Sequence, residues 1–122
     1  MKQMNRLIRS FGHAIEGIVY TVKTQRNMQI HIGAALLVLF MGWLLQISWS
    51  DVLLVFFSIF LVFILEMVNT AIEATVDLVT GEFHPLAKTA KDVAAGAVLL
   101  AAILAVIVGF YVFLEPLLVL LN

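Results

Sequence analysis

Apolar residues recur every three or four positions through the first 29 residues, at Leu7, Ile8, Phe11, Ile15, Ile18, Val19 and Val22. That spacing belongs to a helix with one apolar face, and Lys2, Arg6, Arg9 and Lys23 fall on the other side, suited to water or lipid phosphate. The pattern predicts an amphipathic helix over 1–29, lying on a membrane surface. Beyond it the chain changes character. Three apolar runs follow, His31–Ile47, Val52–Leu65 and Val93–Leu114. With their flanks, each is long enough to cross a hydrocarbon layer of about 30 Å. Membrane helices are predicted over 30–47, 51–80 and 86–115, giving an all-α, single-domain membrane protein with one surface helix and three transmembrane helices.

Local signals punctuate these runs. The link Gln46–Asp51, QISWSD, is a short hairpin turn, with N-cap chemistry for the second span from Ser50 and Asp51. Gly81 is placed to cap its C-terminus, and Pro85 suits the first turn of the third span. Pro116 marks the end of that span or a kink in it. Trp43 and Trp49 bracket one membrane face as headgroup anchors. Small residues at Gly33–Ala35 and Ala94–Ala97 invite close approach of neighbouring backbones.

Composition sharpens the class. At 122 residues, 63% hydrophobic and 12% charged, the chain has more apolar surface than a soluble domain of its size can cover. A formal net charge of −1 and the lack of a basic cluster argue against nucleic acid as a partner. There is no cysteine, which excludes disulfides and thiolate metal sites. Arg9 and His13 interrupt the first apolar run and no small-residue cleavage site follows, so this N-terminus does not read as a cleavable signal peptide. Five of the seven Lys and Arg lie in residues 1–29 and the other two are Lys88 and Lys91. The positive-inside rule then puts the N-terminus and the 81–91 loop in the cytoplasm and the C-terminus outside, in a multi-pass protein of the cell membrane.

The chemistry is concentrated in EMVNTAIEATVD, residues 66–77, which continues the second span without Gly or Pro. At about 100° per residue, Glu66, Asn69, Glu73 and Asp77 fall within roughly 80° of one another. Three carboxylates and an amide thus share one helix face at the edge of hydrocarbon, where an ionised group costs about 2.5–3.5 kcal/mol at mid-membrane. A divalent cation is the first candidate to compensate them, against the plainer reading of a solvated helix end. Lys88, Lys91 and Asp92 share one side of the cytoplasmic start of the third span. Antiparallel pairing brings Lys91 and Asp92 level with Glu73 and Asp77. Carboxylates for Mg²⁺ beside a lysine for anionic oxygen are the parts that phosphoryl transfer uses. For Lys88 a snorkelling anchor is the preferred reading. The soluble nucleotide signatures GxxxxGK[ST] and GxGxxG are absent, and His13, His31 and His84 are too scattered for a zinc site.

EMVNTAIEATVD followed by HPLAKTAKDVAAGAV resembles the small integral-membrane diacylglycerol kinase family of bacteria, in the form of its Gram-positive undecaprenol kinase branch. The resemblance runs from the amphipathic arm through all three spans. It implies a homotrimer with active sites at subunit boundaries, using MgATP to phosphorylate a lipid hydroxyl. On that resemblance Glu66 would be the general base, and Glu73 would hold the metal. Asn69 and Asp77 would order the site, and Lys91 and Asp92 would contact ATP. Glu82, Phe83 and His84 match the loop near the nucleotide. Arg6 and His13, on the surface helix, are looser matches for contacts to ATP or lipid. One position departs: where the family commonly reads E-R-N, this chain has Gln25-Arg26-Asn27, so the second metal-binding carboxylate becomes an amide.

The expected partners are therefore a lipid alcohol, ATP with Mg²⁺, membrane lipids and further copies of the chain. Undecaprenol is the favoured acceptor and diacylglycerol the alternative. Two readings from another class remain at this point. One is a small oligomeric ion or proton conductor, against which Ser58 is the only polar residue within Val52–Leu65. The other is a non-catalytic membrane protein, with Gln25 as the trace of lost activity.

Overall fold

A computed structural model describes all residues, Met1–Asn122. It is all-helical: α1 spans Lys2–Thr24, α2 Arg26–Leu44, α3 Trp49–Val79 and α4 Pro85–Leu121. The last three are long and apolar enough to cross a membrane. At 1.5 Å per residue, the 19 residues of α2 span about 28 Å, close to one hydrocarbon thickness. The 31 residues of α3 run to about 46 Å, so that helix must project beyond the bilayer core.

The surface helix is shorter than its apolar pattern suggests. It ends at Thr24, and Gln25 alone, extended at φ −97° and ψ 112°, separates it from α2. The break is supplied by side chains that compete for the backbone. Thr21 and Thr24 donate their hydroxyls to the carbonyls of Gly17 and Tyr20, at 3.0 and 2.8 Å. Gln29 reaches back from α2 and donates to the carbonyls of Val22 and Lys23, at 3.1 and 3.3 Å, satisfying acceptors that α1 leaves open. Residues 1–20 are exposed throughout, including the apolar stripe at Leu7, Phe11 and Ile15, while Thr21 and Met28 are buried where α1 meets α2. Nothing in the single chain covers that stripe.

α2 and α3 form a hairpin whose turn uses Gln46 in the left-handed region, at φ 50°. The N-cap of α3 is Ser48, not the expected Ser50 and Asp51. Ser48 Oγ accepts the Asp51 N–H at 3.2 Å and donates to Asp51 Oδ2 at 2.8 Å, so Asp51 completes a reciprocal cap from the third helical position. Gly42 is buried beside this turn, and a Cβ there would stand 3.0 Å from Ile47 Cδ1. Trp43 and Trp49 are both exposed on either side of the turn.

At the other end, Gly81 does not take the left-handed C-cap conformation. α3 stops at Thr80, which is extended and whose hydroxyl accepts the Glu82 N–H at 3.2 Å. His84 then caps α4, its Nδ1 accepting the Leu86 N–H at 3.1 Å ahead of Pro85 in the first turn. α4 also continues through Pro116 to Leu121, further than the expected end near 115. Proline removes one amide donor, and a helix in hydrocarbon retains its other bonds because no water competes for them.

α3 packs chiefly on α4 and next on α2. Its buried positions are Val55, Ser58, Val62, Glu66, Asn69 and Thr70, and all but Thr70 follow one three-four stripe. Opposite them α4 buries Ala94, Val98 and Ala101, small side chains that let the backbones approach. Near the hairpin end, Val55, Val112 and Phe113 close the core. Replacing Ser48 by alanine is expected to cost about 1 kcal/mol of stability. A denaturant titration in detergent reads it as a lowered midpoint, and an unmoved midpoint would remove the cap from the account.

Candidate functional site

The buried stripe of α3 turns polar as it leaves the apolar core. Val55, Ser58 and Val62 are succeeded on the same face by Glu66, 1% exposed, and Asn69, 6% exposed. Ser58 spends its hydroxyl inside its own helix, on the carbonyls of Leu54 and Val55. Glu66 Oε2 and Asn69 Oδ1, by contrast, are buried without a hydrogen-bond partner. A buried polar atom left unpaired costs about 1–3 kcal/mol, and more when charged. Two such atoms, three positions apart on one helix face, mark a place built to receive something.

Outward from Glu66 the face forms a ladder. Asn69 Nδ2 donates to Glu73 Oε1 at 3.2 Å, and Asp77 Oδ1 accepts Lys91 Nζ of α4 at 2.5 Å. From Glu66 to Asp77 the rise is about 16 Å. Lys88 is paired with Asp92 along α4 rather than extended as an isolated anchor. At the top, a pocket of about 420 Å³ opens between the ends of the two helices. Its lining includes Asp77, Glu82, Phe83, His84, Lys91 and Asp92. Six expected residues thus meet in one polar hollow, with Glu66, Asn69 and Glu73 leading down from it. Lys88 lines it as well.

Three expected residues stand apart. Gln25 occupies the break between α1 and α2, half-buried, with Nε2 donating to Thr24 Oγ1 at 3.0 Å and no bond to Glu73. Arg6 and His13 lie on the exposed surface helix and line a separate hollow with Lys2 and Arg9. His13 Nδ1 is 3.2 Å from Glu16 Oε2. Within one chain neither reaches the polar pocket.

Two participants were not singled out from the sequence. His31 of α2 faces the gap between the membrane helices together with Val62 of α3, which lies one turn below Glu66. Antiparallel pairing across the 46–48 turn puts His31 within roughly one helical turn of Glu66 in height, so the hairpin was the available signal. Thr70 is buried one turn past Glu66 and donates to the Glu66 carbonyl at 2.9 Å.

The donors that could hold a metal are all oxygen. No group of three His, Asp or Glu is clustered. Within the single chain the nearest pair of such donors is Glu73 and the Asn69 amide that bonds it, whose own oxygen has no partner. This donor set fits Mg²⁺, which takes one or two carboxylates and completes its shell with water and substrate phosphates.

The sequence model of the prokaryotic diacylglycerol kinases matches residues 12–113. The chain belongs to that family. The match includes every candidate site residue except Arg6. Among relatives, an undecaprenol kinase of Bacillus subtilis is 48% identical over 115 residues, 94% of each chain. A diacylglycerol kinase of Synechocystis is 49% identical over 113 residues, 92% of this chain and 65% of the relative. The diacylglycerol kinase of Escherichia coli is 37% identical over 103 residues, 84% of each.

Because Glu66 carries an unpaired buried oxygen, Glu66→Met is expected to stabilise the fold by about 1–3 kcal/mol. Unfolding in detergent measures this; a destabilised variant would mean that the carboxyl has a partner in the folded protein.

Proposed function

We propose that this protein is an ATP- and Mg²⁺-dependent lipid kinase that phosphorylates the hydroxyl of undecaprenol, working as a single domain in the cell membrane. The observation that carries this reading is the position of Glu66: a buried carboxylate with a free oxygen, at the bilayer border, below a polar pocket of nucleotide size. A lipid alcohol keeps its tail in hydrocarbon and its hydroxyl at that same border. The B. subtilis relative, similar over nearly the whole of both chains, supports undecaprenol as the acceptor. The diacylglycerol kinases among the relatives support diacylglycerol as the second candidate.

Glu66 accepts the proton of the lipid hydroxyl, which requires that hydroxyl within about 2.6–3.2 Å. The oxygen lone pair forms the new bond to the γ-phosphorus, and the bond from that phosphorus to the β–γ bridging oxygen breaks with its electrons going to ADP. The lysine side of the pocket serves the phosphates: Lys91 is held in place by Asp77, and Asp92 holds Lys88. Glu82, Phe83 and His84 form the loop against which the nucleotide rests, and His84 does so while fixed as the cap of α4. Glu73, oriented by Asn69, and Gln25 are the assigned magnesium side. Bound magnesium would neutralise phosphate charge as the leaving group departs.

The family resemblance is the reason to propose a homotrimer with shared sites, in which Arg6 and His13 of the surface helix contact ATP or lipid. The charge asymmetry supports an N-terminus and active site facing the cytoplasm, where ATP is.

Transfer of labelled γ-phosphate from MgATP to undecaprenol and to diacylglycerol in mixed micelles tests the reading. Transfer to undecaprenol is expected, with Glu66→Gln lowering the rate at least about 100-fold. No transfer to either lipid, with Gln25→Glu equally silent, would leave a non-catalytic membrane protein. Restoring the missing carboxylate is expected to lower the Mg²⁺ concentration needed for half-maximal rate in Gln25→Glu. An unchanged metal dependence would take Gln25 out of the metal side.

A further inference from the structure

Below Glu66 the three membrane helices do not close against one another. A groove of about 280 Å³ lies between them in the apolar zone. Its walls include His31 and Ala34 from α2, Ser58 and Val62 from α3, and Ala105 and Gly109 from α4. α3 touches both neighbours, but α2 and α4 scarcely meet, and small residues line the gap. A Cβ added at Gly109 would meet no atom within 4 Å, so the glycine there leaves space instead of admitting a helix. Ser58 offers the groove no free donor, since its hydroxyl is committed to Leu54 and Val55. Only the mouth is polar. His31 stands there, and Val62 lies one turn below Glu66 on the same face.

We propose that this groove holds the first isoprene units of the lipid alcohol, with the hydroxyl at Glu66, and that it selects a single branched chain over a two-chain lipid. The inference rests on the kinase reading for the position of the hydroxyl. A tail attached to that hydroxyl must begin within a bond or two of Glu66 and descend into the bilayer. The groove starts at that height and follows that direction. A 150 Å³ apolar cavity accepts a benzene molecule, so 280 Å³ takes roughly ten carbons, which is two isoprene units of one chain. A diacylglycerol would place at most one of its chains there. The larger apolar cavity at Trp43 and Trp49 cannot serve, because Trp49 is about 25 Å along α3 from Glu66.

Filling the groove tests the assignment in the full-length protein in mixed micelles. Ala105→Phe and Gly109→Leu are compared with Ile107→Phe, a bulky change at an exposed position of α4 outside the groove. The readout is the ratio of kcat/KM for undecaprenol to that for the five-carbon alcohol 3-methylbut-2-en-1-ol, which has only the first isoprene unit and none to seat deeper in the groove. The ratio is expected to fall at least tenfold in both groove variants and to hold in Ile107→Phe. A ratio that stays constant overturns the proposal. That holds if neither alcohol is affected, and equally if both are lost together because a helix of another copy fills the groove.

A second measurement needs no catalysis. A polyprenol carrying a photoreactive diazirine on its second isoprene unit is expected to label Ala102, Ala105 or Gly109 of α4, or Val55, Ser58 or Val62 of α3. Labelling confined to outward residues such as Leu99, Leu100 and Ile103 would also overturn it. Groove labelling without phosphate transfer to any alcohol would sink the kinase reading and keep the groove. Transfer with an unchanged ratio would do the reverse.

Discussion

Everything in this fold turns on a carboxylate placed where a membrane protein places alanine or valine. Glu66 sits on the stripe of α3 that buries Val55 and Val62, and it is as sequestered as they are. Such a group costs stability unless something pairs with it. The chain offers no partner for Oε2 and leaves Asn69 Oδ1 equally unpaired, so the cost is retained at one place. The surrounding structure is arranged to tolerate it. α4 contributes Ala94, Val98 and Ala101, which hold the helices close, while the Asp77–Lys91 pair ties the two together above the site. A strained polar site on a tightly packed pair of helices is a common compromise between stability and activity.

Length converts that local feature into a position. α3 is longer than the bilayer is thick, so its final third must leave hydrocarbon, and the polar ladder begins where the helix does so. Glu66 adjoins the apolar run Val52–Leu65, and Asp77 lies at the loop end of the helix. The two reactants of a lipid kinase differ in the same way, since one is confined to the bilayer and the other to water. A straight helix crossing such a boundary carries Glu66 and Asp77 about 16 Å apart along its axis.

Much of this was legible in the sequence because it depends on periodicity. The four helices, the shared face of Glu66, Asn69, Glu73 and Asp77, and the approach of Lys91 to that face all follow from helical geometry and a short loop. What was misread depends on local competition for backbone groups. Ser48 displaced Ser50 and Asp51 as the cap because a serine three positions before an aspartate lets both side chains bond. Thr80 ended α3 without any need for the left-handed freedom of Gly81. α4 ran through Pro116, since the apolar residues beyond it favour a helix in hydrocarbon more strongly than one missing bond opposes it. The break at Gln25 lies in the polar run Lys23–Asn27, which carries no helix-stopping Gly or Pro, and the reach of Gln29 back to Val22 and Lys23 shows where α1 stops.

Arg6 and His13 mark the limit of reading one chain. Their helix leaves its apolar stripe uncovered and shares almost no surface with the rest of the molecule beyond Thr21. With nothing in the chain covering that stripe, α1 leaves Arg6 and His13 apart from Glu66 in the single protomer. The same reasoning bears on Gln25, which stands at the joint between that helix and the membrane bundle. An amide there adjusts to whatever geometry the surface helix is given. A carboxylate would add a charge needing a cation at every stage, including before metal and nucleotide arrive. Gln25 is instead satisfied within the joint by its own bond to Thr24.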